Sequence, residues 1–155
     1  GTYQMKFGTE KLKEIYVRTD SFFSNKEEAQ KILNSKETNI LNLSKGIASL
    51  GPKNVFISDA ENGAYLYENE NLWHLPIYSN GKTPLERTGA GDAFSSTIVS
   101  YMVKNFSPVE AFKRGQVNSM SVIQYIGPHE GLLSYEELEE YFKNTPKNYK
   151  LTKIN

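Results

Sequence analysis

Thr88-Gly89-Ala90-Gly91-Asp92-Ala93-Phe94 places two glycines and a carboxylate where a loop turns into a helix. The preceding run, Tyr78-Ser79-Asn80-Gly81-Lys82-Thr83-Pro84, is polar and rich in turn formers. Beyond the motif, apolar side chains recur at Phe94, Ile98, Tyr101 and Met102, the three-to-four spacing of a buried helical face. A helix is therefore predicted to start near Ala90. The first amides of a helix have no internal partners and sit at the positive end of its dipole, so backbone alone can hold a phosphate there. Glycine removes the side chain that would keep the ligand at a distance. Asp92 has two readings. It can take a proton from a substrate hydroxyl attacking a phosphoryl group, or it can simply stabilise the first helical turn.

Strand and helix signals alternate along the chain. Helices are predicted over Glu10 to Arg18, Lys26 to Leu33 and Thr38 to Leu50, the last stopped by Gly51-Pro52. Strands are predicted at Ser21 to Ser24, Asn54 to Ser58, Ala64 to Glu68 and Asn71 to Leu75. A long helical pattern runs from Pro108 to about Tyr125 and ends at Ile126-Gly127-Pro128, with Val117, Val122 and Ile123 as core positions. Ser134-Tyr135-Glu136-Glu137 opens a final helix with a capping-box pattern. This alternation implies an α/β layer structure.

The chain has 155 residues without internal repeat or low-complexity run, so residues 1–155 are expected to form one compact α/β domain. Lys plus Arg and Asp plus Glu both number 18, and the formal net charge of zero gives no bulk field to recruit nucleic acid or anionic membrane. The absence of cysteine removes disulfide and thiol chemistry and fits a reducing cytoplasm, where a soluble protein is expected. No apolar run reaches the length of a membrane span or signal core. The only histidines, His74 and His129, lie outside any zinc-type spacing, and the ordinary phosphate-binding P-loop is absent. Tyr65, Tyr67, Trp73 and Tyr78 could offer a base-stacking surface, but strand alternation places Tyr65 and Tyr67 on one sheet face, where packing is the expected role.

Glu86-Arg87-Thr88-Gly89-Ala90-Gly91-Asp92-Ala93-Phe94 resembles the signature near the C-terminus of ribokinase-like sugar kinases, the PfkB family, in which D-T-T-G-A-G-D-x-F is usual. The resemblance implies that Gly89, Ala90 and Gly91 form an anion hole, that Thr88 lies on the nucleotide side and that Asp92 is the catalytic base. Asn25-Lys26-Glu27-Glu28 is similar to the family's N-x-x-E motif, which implies that Asn25 and Glu28 help organise Mg²⁺ and its waters. On local sequence alone, Asn25 is an N-cap with acids in the first turn before Ala29, Ile32 and Leu33. The strand ending at Ser58 with the turn Asp59-Ala60-Glu61-Asn62-Gly63 resembles T-x-G-x-x-G, which implies nucleotide contacts for Ser58 and Gly63; a plain hairpin turn fits as well. By position in the helix that borders the adenine in this family, Asn118 is a further nucleotide candidate.

The departures are Ala60, where glycine is usual; Glu86, where an aspartate commonly belongs to a monovalent-cation site; Arg87, in place of a small residue; and Thr97, in place of Gly or Ala. Potassium activation does not follow from the motif here. Arg87 is expected either near a phosphate or, preferably, in solvent. The segment Gly1-Thr2-Tyr3-Gln4 resembles the stretch just after the mid-sheet N-P-G segment of these kinases. The resemblance thus implies a ribokinase-like layered sheet flanked by helices, the C-terminal half of that fold without its lid and without the sugar-binding N-terminal half.

Two functions are compatible with these residues. One is ATP- and Mg²⁺-dependent phosphoryl transfer to a hydroxyl of a sugar or related small molecule, by a piece inactive alone and with room for a homodimer in the full-length protein. The other is a non-catalytic nucleotide- or phosphate-binding module, a degenerate kinase relative.

Overall fold

The computed structural model describes residues 2–127 and 129–154, with side chains from Lys6 onward. Pro128, expected just beyond the end of the long helix, lies outside the described residues, as does Gly1. The chain divides into two compact units, Gly1–His74 with Thr152–Asn155, and Leu75–Leu151.

The first unit begins with α1 (Thr2–Lys11) and α2 (Lys13–Arg18). The expected single helix over Glu10 to Arg18 is two pieces that meet at Leu12, and α1 reaches back to Thr2 across a non-helical Gly8 with φ 72°. β1 (Ser21–Asn25) is followed by α3 (Lys26–Ile32) and α4 (Ile40–Ala48), and β2 (Asn54–Ser58) returns parallel to β1. After a 3-10 turn at Ala60–Asn62 come β3 (Ala64–Glu68), antiparallel to β2, and β4 (Asn71–Leu75). The two-residue β5 (Thr152–Lys153) completes a sheet in the order β1-β2-β3-β4-β5.

One sheet face is covered by α3 and α4, where Ala29, Ile40, Leu43 and Ile47 pack with Val55, Ile57 and Leu72. Tyr65 and Tyr67 pack against that same cluster, so their shared strand face serves the core, as the alternation required. Phe23 and Phe56 stack at 4.6 Å. All of β2 except Ser58 is buried, as expected for a strand with neighbours on both edges and side chains inside on both faces.

The second unit contains α5 (Ala90–Val103), α6 (Pro108–Val122) and α7 (Tyr135–Lys143). Close approach of α5 and α6 depends on Gly115, where a Cβ would lie 2.8 Å from Phe94 and 2.9 Å from Ile98. The capping box predicted at Ser134 and Glu137 is formed, and Ser107 caps α6 with Pro108 in its first turn. Arg114, only 6% exposed, ties the three helices together. Its Nε donates to Glu139 Oε1 at 2.6 Å, its Nη2 to Glu139 Oε2 at 3.3 Å and its Nη1 to the Glu110 carbonyl at 3.0 Å. The Tyr101 hydroxyl donates to the same Glu139 Oε1 at 2.7 Å. The rings of Tyr101, Phe106 and Phe142 lie over or beside the guanidinium at 4.2–4.9 Å. The Arg114 hydrogen bonds hold the Glu139 carboxyl below its usual range.

Candidate active site

The α5 entrance carries the residues that the motif singles out. Gly89, the N-cap, has φ 85° and ψ −11°, a left-handed conformation that glycine takes without steric penalty, and it offers no side chain to cap the helix. Of the next amides, Ala90 N–H donates to the Arg87 carbonyl at a long 3.3 Å, and Ala93 N–H returns to Gly89 at 2.8 Å. Those of Gly91 and Asp92 have no protein acceptor among the described residues. Gly91 is exposed, and a Cβ built on it would meet nothing within 4 Å. Asp92 is exposed in the first helical turn. A bare, positively polarised amide pair therefore stands next to a carboxylate open to solvent, the arrangement a phosphoryl group and an attacking alcohol require.

The loop before this entrance is fastened within its own unit. Leu85 and Glu86 N–H donate to the Ile123 carbonyl at 2.8 and 3.3 Å, at the end of α6. The Glu86 carboxylate accepts from the Gly127 amide at 3.2 Å and from Thr88, and these two bonds hold its carboxyl below the usual range. The departure at Glu86 thus links the loop to the segment after α6. From inside the helix, Ser119 donates to the Ala90 carbonyl at 2.6 Å. Thr88 and Arg87 are exposed, and Arg87 takes the solvent position favoured from sequence. Asn118 is buried: its amide donates to Thr97 Oγ1 at 2.9 Å and accepts from Leu133 N–H at 3.0 Å. The departure at Thr97 is explained by this bond, because Gly or Ala would leave a buried amide hydrogen without a partner.

The remaining candidates gather in the first unit, at the carboxyl ends of its two parallel strands, where open α/β sheets place their ligands. Asn25 ends β1 and Ser58 ends β2, and the two are register partners. Asn25 Oδ1 accepts from Glu28 N–H at 2.8 Å, and Glu28 Oε2 accepts from Asn25 N–H at 3.0 Å, a reciprocal capping box. The N-cap interpretation of this pair is therefore realised, and Glu28 Oε1 and the side-chain Nδ2 of Asn25 have no protein partner among the described residues. No group of three metal-capable His, Cys, Asp or Glu residues occurs among the described residues. One carboxylate and one carboxamide suit Mg²⁺, which keeps most of its waters and takes few protein ligands.

Across the turn, Ala60 has φ 47°, so alanine adopts the left-handed backbone that the usual glycine would. Gly63, with φ 88°, donates to the Ala60 carbonyl at 3.2 Å and accepts from Asp59 N–H at 2.8 Å. Sequence reasoning missed Lys26 and Asp59, whose side chains meet at 3.3 Å between the α3 entrance and this turn. They are 33 residues apart, so no local signal could have paired them.

The pfkB family carbohydrate kinase description matches residues 3–134. No curated protein sequence gives a significant match. Among solved structures, the Methanocaldococcus jannaschii nucleoside kinase, an archaeal member of the ribokinase family, superposes with a TM-score of 0.78 at 21% identity, over 93% of this chain and 46% of its own. Arabidopsis thaliana ribokinase complexed with ribose and ATP gives 0.76 at 20% identity, over 84% and 43%. An E. coli protein described as a ribokinase II, in complex with ATP and Mg²⁺, gives 0.75 at 21% identity, over 87% and 42%. At these identities the likeness establishes the fold, a mixed α/β ribokinase-like architecture. The chain spans less than half the length of each.

Proposed function

The chain belongs to the pfkB family of carbohydrate kinases, and from that membership we propose that it carries the ATP-binding and catalytic part of a kinase that phosphorylates a hydroxyl of a sugar or related small molecule. Its two units are then parts of one C-terminal domain, 1–155, whose sugar-binding half and lid belong to a preceding segment. The observation that carries the reading is the α5 entrance, with its left-handed Gly89, its Gly91 and Asp92 amides without an acceptor among the described residues, and its exposed Asp92 carboxylate.

In this mechanism the free amides of Gly91 and Asp92, joined by those of Gly89 and of Ala90 once its long bond to Arg87 yields, face the transferred phosphoryl group and stabilise the charge that develops on its oxygens. The Asp92 carboxylate accepts the proton of the attacking alcohol as the O–P bond forms and the bond to the ADP leaving oxygen breaks. Asn25 and Glu28 are the residues that would hold Mg²⁺, one carboxylate and one carboxamide for a cation that takes few protein ligands. The metal supplies charge neutralisation there. Ser58, Gly63 and Thr88 border the nucleotide, and Asn118 acts from behind by fixing Leu133 and Thr97. ATP and Mg²⁺ are the cofactors, supported by their presence in complexes of similar fold. Potassium is left out of the mechanism, because Glu86 is already bonded to Thr88 and Gly127. Cytoplasmic location and a homodimer of the full-length protein complete the proposal. Among the described residues no helix is long and apolar enough to cross a membrane.

The alternative is a nucleotide- or phosphate-binding module without catalysis, favoured by Ala60, Glu86 and Thr97. Transfer of labelled γ-phosphate from ATP to a panel of sugars and nucleosides by the full-length protein decides between them. Product formation that Asp92→Asn abolishes supports the kinase. Nucleotide binding without any product supports the module.

A further inference from the structure

We propose that Lys26 is a charge shield for the nucleotide turn, a positioning residue that neutralises Asp59 so that an anionic phosphate chain can approach the ends of β1 and β2. The proposal rests on the nucleotide reading of this turn, but Lys26 and Asp59 belong to none of the motif positions that support that reading.

Asp59 is the hub of the turn. Its amide donates to the Gly63 carbonyl at 2.8 Å, its carbonyl accepts from Asn62 N–H at 2.9 Å, and its Oδ2 accepts from Asn62 Nδ2 at 3.2 Å. These bonds hold the left-handed Ala60 in place. They also keep a carboxylate beside the turn that would have to receive the phosphates. The side chain of Asp59 is 16% exposed, so water does little to screen that charge. Tyr65 registers it: burial, and then the Asp59 charge, push its phenol up.

Lys26 is the only cation among the described residues within ion-pair distance of this carboxylate, at 3.3 Å, with its own side chain 28% exposed. As the first residue of α3, it lies between Asn25 and Glu28 in sequence, so its ammonium reaches the turn from the same helix entrance that carries the proposed metal-side pair. Two like charges held a few ångströms apart in a partly desolvated site cost enough to decide binding, whereas a neutralised pair costs little.

The test is binding of Mg·ATP and of uncharged adenosine to the whole chain, measured by calorimetry and by amide NMR shifts. Wild type, Lys26→Met, Lys26→Arg, Asp59→Asn and the Lys26→Met/Asp59→Asn double variant are compared. Lys26→Met is expected to weaken Mg·ATP about tenfold and to leave adenosine within about twofold. Lys26→Arg restores Mg·ATP binding, and so does adding Asp59→Asn, which removes the charge that needed shielding.

Unchanged Mg·ATP binding in Lys26→Met overturns the proposal. A double variant as weak as Lys26→Met also overturns it, because Lys26 would then touch phosphate directly. Parallel loss of adenosine overturns it in favour of a merely structural pair. If wild type binds neither ligand, the nucleotide reading fails first and the shield with it, an outcome separate from the others.

Discussion

Two helix entrances in this chain resemble motifs of the same kinase family, and they satisfy their backbones in opposite ways. At α3, Asn25 and Glu28 cap each other's amides, so the helix start is closed by its own side chains. At α5, the N-cap is a left-handed glycine with no side chain, and among the described residues the Gly91 and Asp92 amides are without a protein acceptor. A capped entrance is stable without a ligand. One with a glycine N-cap gives up roughly a few tenths of a kcal/mol of capping and leaves its amides open to an anion. A motif match alone therefore does not separate a structural terminus from a binding one; the fate of the first amides does.

The contrast between the two entrances is challenged hardest at Asp92. If the full-length protein is the proposed kinase, Asp92→Asn should lower its kcat by about 10²–10⁴ while leaving the KM for ATP within a few-fold, measured by steady-state kinetics. Next in size is the scaffold behind α5. Glu139→Ala leaves the Arg114 guanidinium buried without its bidentate partner and should cost about 3–5 kcal/mol in denaturant unfolding. The same carboxyl titrates below its usual value of 4.5 in the folded chain. Its contribution is therefore complete above the unfolded value and is lost as pH falls through the folded one, so stability should drop in acid and Glu139→Gln should flatten that drop.

Gly91→Ala separates binding from stability. The new Cβ meets no atom in the protein, so the fold should be unharmed or stabilised by up to about 1 kcal/mol, as Ala replaces Gly in a helix. Mg·ATP binding by calorimetry should fall, because the Cβ occupies the space above the amides. At α3 the sign reverses. Asn25→Ala should cost about 1 kcal/mol through the lost cap, seen in thermal unfolding. Asn25→Asp should keep that stability, since an aspartate caps equally well. The smallest effect is at Ala60, where glycine adopts φ 47° without strain; Ala60→Gly should stabilise by about 1 kcal/mol or less.

How much of this is legible in the sequence depends on the range of the physics. Periodicity and turn chemistry locate β1 to β4 and the starts of α5, α6 and α7, because each signal lies within a few residues. A single helix over Glu10 to Arg18 is the wrong reading because nothing local announces the break at Leu12, and α1 escapes notice because Gly8 interrupts it. β5 is two exposed residues whose only strand credential is its pairing with Trp73 and His74. The entrance at α5 can be read because its glycines and aspartate are contiguous. The Lys26–Asp59 pair and the burial of Arg114 cannot, since a charge in a sequence looks solvated until distant elements enclose it. Asn118 looks like a ligand-facing amide in the sequence, and the structure commits both ends of it to Thr97 and Leu133.

The most direct test of the anion site proposed at α5 is an amide NMR titration of the whole chain with Mg·ATP. Saturable shifts concentrated at Gly89, Ala90, Gly91 and Asp92, weakened in Gly91→Ala, are the predicted result. Saturable binding that leaves those four amides unmoved, or no binding by the wild-type chain at millimolar nucleotide, would contradict it.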